Sequence, residues 1–101
     1  MEGATKIFEK GIKAFPNDWP MLYRAAYHYL YEVGNKTRAA ELLILAGKNG
    51  APQWVYSLAG RLYSDSGKRE LAEKLLEQMI IEGQDPAIIQ RLKDKLDKEK
   101  K

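Results

Sequence analysis

The chain has 101 residues, 17 Lys or Arg against 14 Asp or Glu, 45% hydrophobic and 31% charged residues, and no cysteine. That length allows one domain at most, with the balance of an ordinary globular protein rather than a disordered one. Disulfides, thiolate zinc sites and cysteine nucleophiles are excluded, and no apolar run approaches the roughly 18 residues of a membrane span.

Breakers divide the chain into six segments of helical length. They fall at Pro16-Asn17-Asp18, at Gly34-Asn35, and at 47–52, 64–67 and 83–86. Asn17, Asp18, Asn35 and Asp85 can accept hydrogen bonds from the free N–H groups of helix starts. Pro86 follows Asp85 at a first helical position, where its missing N–H costs nothing. The first predicted helix, 2–15, begins abruptly inside a helical pattern and shows no signal-peptide core, which points to a piece of a longer, cytoplasmic protein. The second, 18–33, carries Leu22, Ala25, Ala26 and Tyr29 on one stripe. The third, 36–48, does the same with Ala39, Leu42, Leu43 and Ala46. A fourth helix covers 52–64, and a fifth, 68–82, has Leu71, Leu75, Leu76 and Met79 at helical spacing. The sixth, 86–98, aligns Ile88, Ile89, Leu92 and Leu96, with charge elsewhere.

No segment alternates with period two between turn signals, so the fold class is all-α. Residues 93–101 hold five Lys against two Asp and one Glu, the pattern of a solvated, fraying helix end. The rest of the chain has 12 basic and 11 acidic residues, too even a balance to track a phosphate backbone. Nucleic acid and membrane are therefore not expected partners.

The sequence also repeats. A shift of 34 residues places Leu22 on Tyr56, Ala25 on Ala59, Ala26 on Gly60 and Tyr29 on Tyr63. Ala39 and Leu43 meet Ala72 and Leu76 at a shift of 33, and Ala4 and Phe8 meet Ala39 and Leu43 at 35. Periods of this size mark arrays of helix pairs, a plain helical bundle being the alternative. The pattern resembles the tetratricopeptide repeat, in which a large residue, two small ones and an aromatic mark the first helix. A small residue, a bulky one and another small one mark the second, and a proline closes the unit. Tyr56, Ala59, Gly60 and Tyr63 fit the first half; Ala4, Phe8, Gly11 and Pro16 fit the second. Met79 is larger than the family's small residue, and the closing prolines Pro52 and Pro86 arrive late. The resemblance implies a right-handed α-solenoid of antiparallel helix pairs. Residues 1–16 would be the second helix of a partial repeat, 17–50 and 51–84 two repeats, and 85–101 a capping helix with a basic tail. It further implies a concave side lined by helices 18–33 and 52–64.

Chemistry is sparse. His28 aligns with Leu62 one period later, which makes it a partly packed helix face, and no motif around it supplies the nucleophile or orienting acid that a catalytic histidine needs. Asp94/Asp97 and Glu70/Glu73 lie beside lysines as ordinary exposed faces. GKNGAP and SDSGKR lack the spacing of a phosphate loop. No enzyme activity, cofactor or metal is expected.

A binding surface is better supported. Tyr23, Tyr27 and Tyr31 recur every four residues, off the packing stripe, with Arg24 beside them. Trp54, Leu58 and Arg61 would face the same way on the next first helix. Tyr, Trp and Arg dominate interface energetics because they bury much area at low entropy cost. Two readings stand: a groove for a partner segment, or rings that stiffen the scaffold or pack on a preceding repeat. Tyr23, Tyr27 and Tyr31 become Ser57, Arg61 and Asp65 one period later, which favours the groove. One branch of the family clamps a terminal carboxylate with Lys, Asn and Arg; Tyr23 and Tyr27 stand where the Lys and Asn belong. An apolar, aromatic or proline-rich partner suits this groove better, with any acidic group meeting Arg24 or Arg61. The rival from another class is a structural subunit docking permanently, or as a homo-oligomer, through its terminal helices, 2–15 above all.

Overall fold

The computed structural model describes residues 2–99, all-helical with no strand among them. The helices are α1 (Glu2–Ala14), α2 (Trp19–Tyr27), α3 (Lys36–Lys48), α4 (Trp54–Asp65), α5 (Arg69–Ile81) and α6 (Pro86–Glu99). Each boundary falls close to its sequence expectation. One feature was not foreseen: α2 continues without a break into π-helical turns over His28–Val33. Gly34 ends this segment at φ 83°, and its N–H bonds the Tyr29 carbonyl at 2.8 Å. Only glycine enters that left-handed region without a steric cost.

The expected caps divide. The Asn35 side chain accepts from the Arg38 N–H at 3.0 Å, and Asp85 Oδ1 from the Ala87 N–H at 2.9 Å. Asp18 makes no such bond. Its helix opens with Trp19 and Pro20, and the proline has no N–H to offer a cap. Asn17 lies in the turn before it.

Leu22, Ala25, Ala26 and Tyr29 are buried, as are Ala39, Leu42, Leu43 and Ala46, and these stripes join Tyr56, Ala59, Tyr63, Met79, Leu92 and Leu96 in one core. Leu71 departs from expectation and is exposed. At 100° per residue, the buried arc of α5 centres on Ala72, Leu75 and Met79, and Leu71 lies roughly 80° from that centre.

Helices pack mainly on their chain neighbours: α1 on α2, α2 on α3, α3 on α4, α4 on α5, α5 on α6, with α4 also seated on α6. The shortest dimension, 17 Å, leaves room for two helix layers but not three. Small residues allow close contact. A Cβ on Gly60 would stand 2.5 Å from Leu92 Cδ2, and one on Gly47 would stand 2.7 Å from the Tyr56 ring.

Polar ties lock the ends. Glu9 of α1 accepts the Tyr29 hydroxyl of the π-helical turns and, at 3.1 Å, the Arg38 guanidinium of α3. At the other end Lys95 of α6 pairs with Asp65 of α4 at 2.9 Å, and Ser64 donates to Glu99. Within the basic tail, residues 93–99 are helical and tied to α4, while its last two lysines lie outside the described residues.

Candidate functional site

Four-residue spacing keeps Tyr23, Tyr27 and Tyr31 on one side of their helix, and the fold brings Trp54 to meet them. The Tyr23 ring stands edge-on to Tyr27 (centroids 4.6 Å apart, 87° between planes) and edge-on to Trp54 (5.7 Å, 84°). Tyr27 and Tyr31 stack at 5.6 Å and 7°. Trp19 stands near edge-on to Tyr23, with centroids 6.5 Å apart and 74° between planes. The Tyr23 hydroxyl donates to that of Tyr27 at 2.9 Å. Each such pair contributes about 0.5–1.5 kcal/mol beyond its area, so the row holds its own shape before anything binds. The row is graded in depth. Tyr23 and Tyr27 are half-buried, Trp54 is exposed, and Tyr31 is 75% accessible. Burial pushes the Tyr27 hydroxyl up to about 12.

The remaining predicted residues scatter around this row. Leu58 is half-buried and packs against the core. Arg61 is half-buried, with its Nε shut off from solvent and without a hydrogen-bond partner. It enters no ion pair among the described residues. Arg24 sits elsewhere. One residue beyond Tyr23 is a 100° turn of the helix, and it carries Arg24 toward α1, where it lines a cleft of about 230 Å³ with Ile7, Phe8 and Met21.

His28 is buried. Nε2 lies 2.8 Å from Thr5 Oγ1 and Nδ1 lies 3.1 Å from Glu32 Oε1, with the Phe8 ring 5.0 Å away. Through Nε2 the ring fastens α1 to the π-helical turns, and through Nδ1 it is held within those turns. Its packed character was legible from the alignment with Leu62; its partners on α1 were not, since Thr5 is 23 residues away. Among the described residues no three metal-ligating side chains cluster, and no helix is long and apolar enough to cross a membrane.

No protein-family model matches this chain, and neither a curated protein nor a solved structure aligns with it.

Proposed function

We propose that this chain is a short tetratricopeptide-like array that acts as a non-enzymatic protein-interaction module or scaffold in the cytoplasm. In this reading α2 with α3 and α4 with α5 are two antiparallel pairs of a right-handed solenoid, α1 is the second helix of a partial pair, and α6 is the cap. Packing between chain neighbours supports it, as does the close seating of α6 on Gly60, where the family has a small residue. The partner is a protein segment lying along α2 and α4, with apolar, aromatic or proline side chains against the rings and an acidic group toward Arg61.

One observation carries the binding reading: the rings of Tyr31, Tyr27, Tyr23 and Trp54 form a continuous pre-ordered row whose outer end is open to solvent. Rings fixed in advance lose little entropy on binding. Tyr23, Tyr27 and Tyr31 are not aromatic one period later, so rings at these positions are not a requirement of the repeat.

The test is a displayed random-peptide library panned against the protein, with Tyr31→Ala as the counter-target. Because Tyr31 is so exposed, Y31A should unfold within about 0.5 kcal/mol of the parent protein. Enrichment of aromatic or proline-containing peptides lost on Y31A and on Trp54→Ala supports the reading. Peptides that bind all three proteins alike refute it.

A further inference from the structure

We infer that the π-helical turns of His28–Val33 are a one-residue insertion in the first of the two sequence copies, and that they position Tyr31 over Tyr27 at the outer end of the aromatic row. The importance given to that row rests on the function proposed above; the insertion and the ring placement do not.

The two copies measure each other. Tyr29 and Tyr63 are equivalent core residues, 8% and 7% accessible. Gly34 and Gly67 are equivalent as well, each in the left-handed conformation just past its helix, at φ 83° and 76°. Beyond them Ala39 and Ala72, both fully buried, begin the packed stripe of the next helix. Gly34 stands 33 residues before Gly67 and Ala39 33 before Ala72, but Tyr29 stands 34 before Tyr63. The first copy therefore holds residues 30–33 between its tyrosine and its glycine, where the second holds only 64–66. Hydrogen bonds show the same difference. The Asn35 N–H bonds the Tyr29 carbonyl from six residues on, at 2.9 Å, and the Lys68 N–H bonds the Tyr63 carbonyl from five residues on, at 2.8 Å. The Gly34 N–H also reaches Tyr29, a span of five, whereas the Ser66 N–H reaches Leu62, a span of four, at 3.0 Å. A buried ring fixes one end of the segment and a glycine cap the other. With no breaker between them, the extra residue is absorbed as wider helical turns, a device frequent at functional sites.

Those turns change where side chains point. Four residues of an α-helix wind about 400°, which leaves the fourth side chain about 40° round from the first. Turns closed by bonds one residue longer wind less per residue and bring the two back toward one line. Two tyrosine pairs on this helix show the contrast. Tyr23 and Tyr27, in the α-helical part, stand at 87°, whereas Tyr27 and Tyr31, which reaches into the π-helical turns, lie at 7°. His28 and Glu32, also four apart and within those turns, meet at 3.1 Å.

Through-hydrogen-bond scalar couplings of the isotope-labelled full chain read these spans directly. Deleting Val33, which is 46% accessible, gives the first copy the spacing of the second. The shortened chain should fold, and its Glu32 N–H should bond the His28 carbonyl as Ser66 bonds that of Leu62. Nuclear Overhauser contacts between the Tyr27 and Tyr31 rings should weaken severalfold. The converse variant inserts one alanine between Asp65 and Ser66. It should create a coupling from the Gly67 N–H to the Tyr63 carbonyl, matching that of Gly34 to Tyr29. An added alanine expelled into the turn after α4, with no such coupling, would overturn the insertion. So would a shortened chain that unfolds, or one in which Glu32 bonds five residues back. Ring contacts unchanged by the deletion would overturn the positioning of Tyr31. No ligand enters these measurements, so they can fail while peptide panning succeeds, and the reverse.

Discussion

Replacing Gly60 with Ala sets two effects of similar size against each other. In an exposed helix interior, alanine gains about 1 kcal/mol over glycine. In α4, however, the new Cβ would lie 2.5 Å and 2.6 Å from the two methyl carbons of Leu92 and 3.1 Å from its Cγ. Leu92 is fully buried, so it cannot swing into solvent, and α6 must move or Leu92 must leave its rotamer. Overpacking of this kind costs about 1–3 kcal/mol. The net expectation is a protein up to about 2 kcal/mol less stable, read by urea unfolding at unchanged slope. Leu92→Val removes part of the obstruction, so G60A/L92V should be less destabilised than the two single changes summed, with a coupling of about 0.5 kcal/mol or more. Gly3 is the internal control: nothing stands within 4 Å of a Cβ there, and Gly3→Ala should be neutral or slightly stabilising. A Gly60→Ala protein that gains about 1 kcal/mol would refute the reasoning, because α6 could not then be seated on α4 as described.

Two further predictions concern pH. The Tyr29 hydroxyl first, and Arg38 after it, hold the Glu9 carboxyl below its ordinary 4.5. Its contribution is therefore present above about pH 4.5 and lost as pH falls through the lower folded value; Glu9→Gln should flatten this part of the acid melting profile, and an unchanged profile would contradict the contact. The Tyr27 hydroxyl, held up to about 12 by burial, contributes stability below its ordinary value of 10 that is lost as pH rises toward 12. Absorbance titration should resolve this late step and Tyr27→Phe should remove it; six tyrosines titrating together near 10 would count against the row's geometry.

Local signals were enough to read the helices, because they lie within a turn or two of the residues they govern. Asn35, Asp85-Pro86 and the glycines stop or start segments by their own backbone chemistry, and the three-and-four spacing at Leu22 or Leu42 needs only helical geometry to become a buried stripe. The spacing of Tyr23, Tyr27 and Tyr31 was legible in the same way. Leu71 and Arg24 were misplaced because a stripe read from spacing has edges that only neighbouring helices define. The π-helical turns escaped notice for a related reason. The segment HYLYEV has no breaker, and its buried His28 is engaged by Thr5 on α1 and Glu32 within the same turns.

The sequence alone determined that this protein is helical, where its helices stop, and which face of most of them is buried. Those properties follow from propensity, capping and periodicity, which act over about four residues. Tertiary structure decided which faces meet. It brought Trp54 against Tyr23, turned Arg24 toward Ile7 and Phe8 of α1, and tied Lys95 to Asp65. These outcomes depend on contacts between residues 16 to 31 apart in the chain, and no local pattern encodes them.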